Sequence, residues 1–192
     1  MTSYRPKSGP ESFGRVVIKR DSFMDESRNA RRIPFKLYHP ESPGTYPVVV
    51  WSHGLGGGAD GAGFLARFIA EHGYIVAHIQ HPGTDTSLWE GKPGHPWDVM
   101  RATPIPRAAT FDRFIDVGYF FDRLPGWLES NNIRADFSRA GMSGHSYGAM
   151  TTQVMAGQTY RDDDGAWRSF YLDRFRAGIL YSPVPASSIA AY

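Results

Sequence analysis

Along residues 32–38 apolar and polar side chains alternate, with Ile33, Phe35 and Leu37 on one side and Arg32, Lys36 and Tyr38 on the other. This period of two predicts a half-buried strand, and Pro34 places it at a sheet edge. Residues 13–19 are rich in β-branched side chains and predict a second strand, paired antiparallel with the first across a polar, turn-like stretch at 21–31. From residue 48 the pattern changes. Val48, Val49, Val50 and Trp51 form an unbroken apolar run, as expected of a strand covered on both faces, and 74–79 reads the same way. Between them Phe64, Leu65, Phe68 and Ile69 recur at helical spacing over 64–72, with Gly73 in the place of a helix C-cap. Residues 81–106 predict a long Gly- and Pro-containing loop with a short helix near 97–101. The longest helix is expected at 107–124, carried by Phe111, Phe114, Ile115, Phe121 and Leu124 and weakened or ended by Pro125-Gly126. A short strand at 139–143, a helix at 147–156, a loop at 159–169 and a strand at 177–182 follow.

Parallel strands separated by helices require right-handed crossovers, so this order predicts an α/β architecture: a mostly parallel, doubly wound sheet with helices on both faces. A strand at 177–182 with nothing after it would expose unpaired N–H and C=O groups. Residues 13–192 are therefore expected to be an incomplete domain lacking its C-terminal strands, and residues 1–12 a disordered lead-in.

Composition narrows the chemistry. A chain of 192 residues accommodates one domain. With 21 Lys and Arg against 19 Asp and Glu, and no basic block, nucleic acid is not an expected partner. No apolar run is long enough to span a bilayer. The first residues contain no apolar stretch of signal-peptide type, so the cytoplasm is the expected compartment if Met1 is the true start. The absence of Cys excludes disulfides, zinc–thiolate sites and a cysteine nucleophile.

Two segments carry chemistry. Residues 144–148 read Gly144-His145-Ser146-Tyr147-Gly148, a G-x-S-x-G pattern between an expected strand and an expected helix. A nucleophilic serine on a sharp strand-to-helix turn needs small residues two before and two after it, because those backbones approach closely. Ser143 is a weaker candidate, since His145 rather than Gly lies two residues beyond it. The second segment, His53-Gly54-Leu55-Gly56-Gly57-Gly58, follows the apolar run ending near Trp51. Acyl transfer needs two backbone N–H groups aimed at the developing oxyanion. Leu55 and Tyr147 are the expected donors, and His53 is expected to hold the loop's shape by hydrogen bonds.

Gly54-x-Gly56-x-x-Ala59 also matches a dinucleotide-binding fingerprint, but no acid follows until Asp85 and the loop is on the third strand rather than the first. A zinc site from His78, His81 and His95 would lack a carboxylate at useful spacing. No cofactor and no metal are expected.

The order and spacing of these motifs resemble the α/β-hydrolase superfamily. Within it the chain is most similar to dienelactone-hydrolase-like and platelet-activating-factor-acetylhydrolase-like serine esterases. The carrying segments are residues 47–56, 81–86 and 141–149. The resemblance implies an α/β-hydrolase fold and hydrolysis of a carboxylic ester, small or lipid-like, through an acyl-enzyme at Ser146. Leu55 and Tyr147 would be the oxyanion donors, with His53, Gly54, Gly144, His145 and Gly148 in support. It also implies an Asp and then a His after the serine, and here the sequence departs from the pattern. All seven histidines, at 39, 53, 72, 78, 81, 95 and 145, precede Ser146. His81 and His95 are expected on a mobile loop near the active face. Asp162, Asp163, Asp164 and Asp173 follow Ser146 but have no later His to orient. The acid and base are therefore expected beyond residue 192, leaving this stretch alone nearly inactive. The alternative is a non-catalytic binding module on the same fold. Trp89, Trp97 and Tyr147 are candidates to line an acyl site.

Overall fold

The computed structural model describes residues 14–162 and 164–183, so the lead-in expected at 1–12 lies outside the described residues. Strands β1 (Val16–Asp25), β2 (Arg31–Pro40), β3 (Thr45–Ser52), β4 (Ile75–Ile79), β5 (Arg134–His145) and β8 (Ala177–Tyr181) form one six-stranded sheet in the order β1-β2-β4-β3-β5-β8. The β1–β2 and β2–β4 pairs are antiparallel, and β3–β4, β3–β5 and β5–β8 are parallel. Helices α1 (Gly63–Glu71), α2 (Pro96–Ala102), α3 (Arg107–Ser130) and α4 (Tyr147–Met155) complete the framework. The mostly parallel sheet with helical crossovers is the architecture its hydrophobic pattern predicts.

The two faces of the sheet are covered differently. Ile33, Phe35 and Leu37 of β2 join Val48, Val50, Ala77, Ile79 and Met142 in the main core, beneath Phe114, Val117, Phe120, Phe121 and Leu124 of α3 and Met150 and Val154 of α4. On the opposite face α1 rests on β2 and β4, where Ala66 and Ala70 meet Tyr38 and Val76.

Several local expectations are corrected. Strand β2 is not an edge: it pairs with β1 along its whole length and with β4 over Phe35–Tyr38. Pro34 escapes conflict because it lies one residue outside the β4 ladder, where its carbonyl accepts from the Gln80 N–H at 2.8 Å. In α1 the inward face is set by Ala66 and Ala70, whose small side chains admit close packing, while Phe64 and Phe68 are 80 % and 58 % exposed. Helix α3 continues through Pro125 to Ser130. A proline inside a helix costs about 3 kcal/mol, and the burial of Leu128, with Trp127 edge-on to Phe35 at 5.1 Å, offsets it. Ile115, expected on the inner stripe of α3, is exposed. Strand β5 begins at Arg134, five residues earlier than expected, pairing with the start of β3 across an irregularity between Pro47 and Val49. Within the stretch expected as a loop at 159–169, β6 (Tyr160–Arg161) and β7 (Trp167–Arg168) pair antiparallel.

Candidate active site

Ser146 stands between the last residue of β5 and the first of α4, with φ 53° and ψ −115°. That conformation is disfavoured for a side-chain-bearing residue and stores of order 1–3 kcal/mol. It survives because the surroundings fix it. The Ser146 N–H donates to the Tyr181 carbonyl at 2.9 Å, and the Met150 N–H donates to the Ser146 carbonyl at 3.1 Å. The flanking glycines are required sterically. A Cβ at Gly148 would collide with the Ser52 carbonyl, and one at Gly144 with the Gly148 carbonyl. His145 is exposed and lies against Gly54 rather than beneath the turn.

The loop after β3 is tied down at several points. The Gly56 N–H donates to the Thr84 carbonyl at 2.9 Å, and the Trp89 indole N–H donates to the Gly56 carbonyl at 2.7 Å. The Gly54 carbonyl accepts from the Gly57 N–H at 3.0 Å and lies 2.7 Å from Nδ1 of His53. Nε2 of His53 accepts from the His81 backbone N–H at 3.0 Å. That bond requires Nε2 to be unprotonated, so the proton is on Nδ1 and is donated to Gly54. Burial, with help from the charge of Arg113, pushes the His53 imidazolium well below its ordinary pKa, so this neutral tautomer persists. The peptide so held is the one whose nitrogen belongs to Leu55. Leu55, Ser146 and Tyr147 then meet at a cavity of about 370 Å³, which Ile105, Arg107, Thr110, Met150 and Tyr160 also line. Of the aromatic candidates only Tyr147 lines it. Trp89 anchors the loop, and Trp97 is 63 % exposed.

The overall fold recurs in known structures. A ferulic acid esterase from Streptomyces cinnamoneus superposes with a TM-score of 0.61 at 20% identity, over 93% of this chain and 64% of its own. An acylaminoacyl peptidase from Pyrococcus horikoshii gives 0.54 at 17% identity, over 86% of this chain and 23% of its own. A hypothetical protein from Pseudomonas aeruginosa gives 0.51 at 18% identity, over 94% and 46%. The chain has the α/β-hydrolase fold. It spans less than two thirds of the length of each of these proteins. Residues 28–89, about a third of the chain, match the family described as platelet-activating factor acetylhydrolase, isoform II. That stretch holds the His53-Gly54-Leu55-Gly56 loop but not Ser146. No curated protein sequence matches the chain.

Within this α/β-hydrolase framework six of the seven histidines are committed to hydrogen-bond partners, and His145 is exposed. His78 contacts the Ala59 carbonyl at 3.2 Å, His95 caps α2, and His72 contacts the Phe68 carbonyl at 2.6 Å. His81, expected on a mobile loop, has no exposed surface. Its Nε2 lies 3.1 Å from Ser52 Oγ and its Nδ1 3.2 Å from Asp116 Oδ2. His78, His81 and His95 share no ligand point, and among the described residues no three His, Cys, Asp or Glu side chains could hold a metal ion. Ser143 is buried and donates to the Ile179 carbonyl at 3.0 Å. Among the described residues no helix is long and apolar enough to cross a membrane.

The sequence reading missed Arg113 and Asp116. Both are fully buried on α3, Arg113 against Ser52 and Asp116 against His81. Burial works to raise the Asp116 pKa, but hydrogen bonds from Arg31 and His81 hold it below the usual carboxylate range. Burial lowers the Arg113 pKa to about 9, so the guanidinium remains charged at neutral pH. The available signal was periodicity: Arg113 and Asp116 fall among Phe114, Val117 and Phe120 on the stripe of α3 that packs inward.

Proposed function

We propose that this chain supplies the nucleophile and oxyanion hole of a carboxylic ester hydrolase. The observation that carries the reading is Ser146, held at positive φ on a strand-to-helix turn beside a cavity shared with Leu55 and Tyr147. Ser146 Oγ attacks the ester carbonyl carbon while a base removes its proton. The carbonyl oxygen becomes an oxyanion, met by the Leu55 and Tyr147 N–H groups. Collapse forms the acyl-enzyme and expels the alkoxide, which takes up the proton from the base. Water then attacks the acyl carbon, giving a proton to the base, which returns it to Ser146 Oγ as the carboxylic acid is released.

The seven histidines of the chain have other partners or, like His145, face solvent, so we assign the base and its orienting acid to residues beyond Tyr192. The similarity of residues 28–89 to acetylhydrolases and the named esterase among similar structures support an ester substrate. The cavity, with Leu55, Ile105 and Met150 beside Tyr147 and Tyr160 and with Arg107 on its wall, suits an acyl group of modest size.

The test is p-nitrophenyl ester hydrolysis by the full-length gene product with and without Ser146→Ala. Turnover lost in the variant supports the reading. Equal, negligible turnover in both overturns it in favour of a binding module on the same fold.

A further inference from the structure

Arg113 is a charged side chain with no exposed surface, and its guanidinium has four hydrogen-bond acceptors. Nε donates to Thr151 Oγ1 at 2.7 Å, Nη1 to Thr84 Oγ1 at 3.0 Å, and Nη2 to Ser52 Oγ at 2.7 Å and to the His53 carbonyl. The guanidinium carbon is 5.1 Å from the centre of the Tyr147 ring.

Each partner leads to an oxyanion donor. Ser52 and His53 begin the loop that carries Leu55. Thr84 belongs to the segment whose backbone carbonyl holds the Gly56 N–H on the other side of Leu55. Thr151 Oγ1 itself donates to the Tyr147 carbonyl at 3.0 Å, one turn into α4. Three chain segments distant in sequence therefore converge on one planar fork. Its positive charge is answered through a consistent run of bonds. Arg113 donates to Ser52 Oγ, the Ser52 hydroxyl donates to Nε2 of His81, and Nδ1–H of His81 donates to ionised Asp116. Asp116 in turn accepts from Arg31 at 2.8 and 2.9 Å.

We propose that Arg113 is a positioning residue that fixes the separation and direction of the Leu55 and Tyr147 N–H groups, with Ser52, His81 and Asp116 holding its charge in place. This rests on the ester-hydrolase reading above. The guanidinium acts through the backbone of its partners and does not touch substrate. Its role depends on the fork rather than on charge alone, since an ammonium group cannot reach donors' partners in three directions from one plane.

The experiment uses the full-length gene product and compares Arg113→Lys, Arg113→Gln, Thr151→Val and Thr84→Val with the parent and with Ser146→Ala. Losing one oxyanion-hole donor lowers kcat by about 10²–10³-fold. Misaiming two should therefore lower kcat of both Arg113 variants by about 100-fold, with KM within about twofold. The Thr151→Val and Thr84→Val variants, which each remove one acceptor and leave the charge, should lose about tenfold in kcat with KM unchanged. The rate of Ser146 labelling by a fluorophosphonate should fall in the same order. A purely structural role would move KM and the folded fraction together with kcat, and that result overturns the proposal, as does parental kcat in Arg113→Lys. If the Arg113 variants do not fold, the threonine variants decide. Parental activity in both threonine variants would count against the proposal. If Ser146→Ala retains full activity, the underlying reading fails instead.

Discussion

Ser52 Oγ lies 3.1 Å from Nε2 of His81. With Asp116 3.2 Å from the other ring nitrogen, the three side chains reproduce the connectivity of a hydrolytic triad. All three are without exposed surface, and Ser52 Oγ also accepts from Arg113. Its oxygen has no path to a substrate, and burial together with the Arg113 charge holds His81 neutral rather than protonated. A fluorophosphonate probe should therefore label Ser146 in the full-length gene product and leave Ser52 unmodified, read by peptide mass spectrometry. Adduct on Ser52 would contradict this assignment.

His53 joins the loop to the core through two bonds whose directions depend on each other. His53→Ala removes the donor to the Gly54 carbonyl and the acceptor for the His81 N–H. Leaving that buried N–H unpaired should cost about 1–3 kcal/mol in urea unfolding. Turnover should fall by about 100-fold, because the Leu55 peptide loses its fixed direction. Loss of stability with unchanged kcat would separate His53 from the oxyanion hole.

The buried histidines also set a direction for acid sensitivity. Burial lowers His81 and His78 to about 4 from an ordinary 6.5, and also holds His53 well below its ordinary value. A depressed folded-state value means that the unfolded chain binds more protons, so their contribution is complete above 6.5 and is lost as pH falls toward 4. Each fully titrating group changes stability by about 1.4 kcal/mol per pH unit. The midpoint of thermal unfolding should therefore drop steeply between pH 6.5 and 4, before the carboxylates titrate. Asp116, itself held low, adds to the loss below that window. A flat midpoint across pH 6.5 to 4 would mean that these imidazoles are accessible to water.

Gly148 should be intolerant of even one methyl group. A Cβ there runs into the Ser52 carbonyl on the neighbouring strand, and backbone cannot yield as a flexible side chain can. Gly148→Ala should abolish Ser146 labelling and lower the unfolding midpoint. Gly118→Ala, at a helical position with open space around it, should leave both near parental values.

Much of this was legible in the chain. Ile33, Phe35 and Leu37 alternate and are all buried, and the G-x-S-x-G segment does sit between a strand and a helix. What escaped reading was set by tertiary contact. Nothing local distinguishes Phe64 from Ala66 as the inward position of α1; the close approach of β2 and β4 decides it in favour of alanine. Proline at 125 signals a helix end, and only the packing of Trp127 and Leu128 carries α3 past it. Arg113 and His81 look like surface residues because charge and polarity are cheap in water. Their burial depends on partners 29 to 61 residues away in sequence, which no short window contains.

The carbonyl that receives the Ser146 N–H belongs to Tyr181, the last residue of β8, and among the described residues β8 is the outermost strand on its side of the sheet. The conformation of the central serine is thus moored to a border strand of the sheet. Amide exchange at Ser146 should report fraying of that border, and whatever zips onto the outer rim of β8 would stiffen the turn from a distance without touching the cavity.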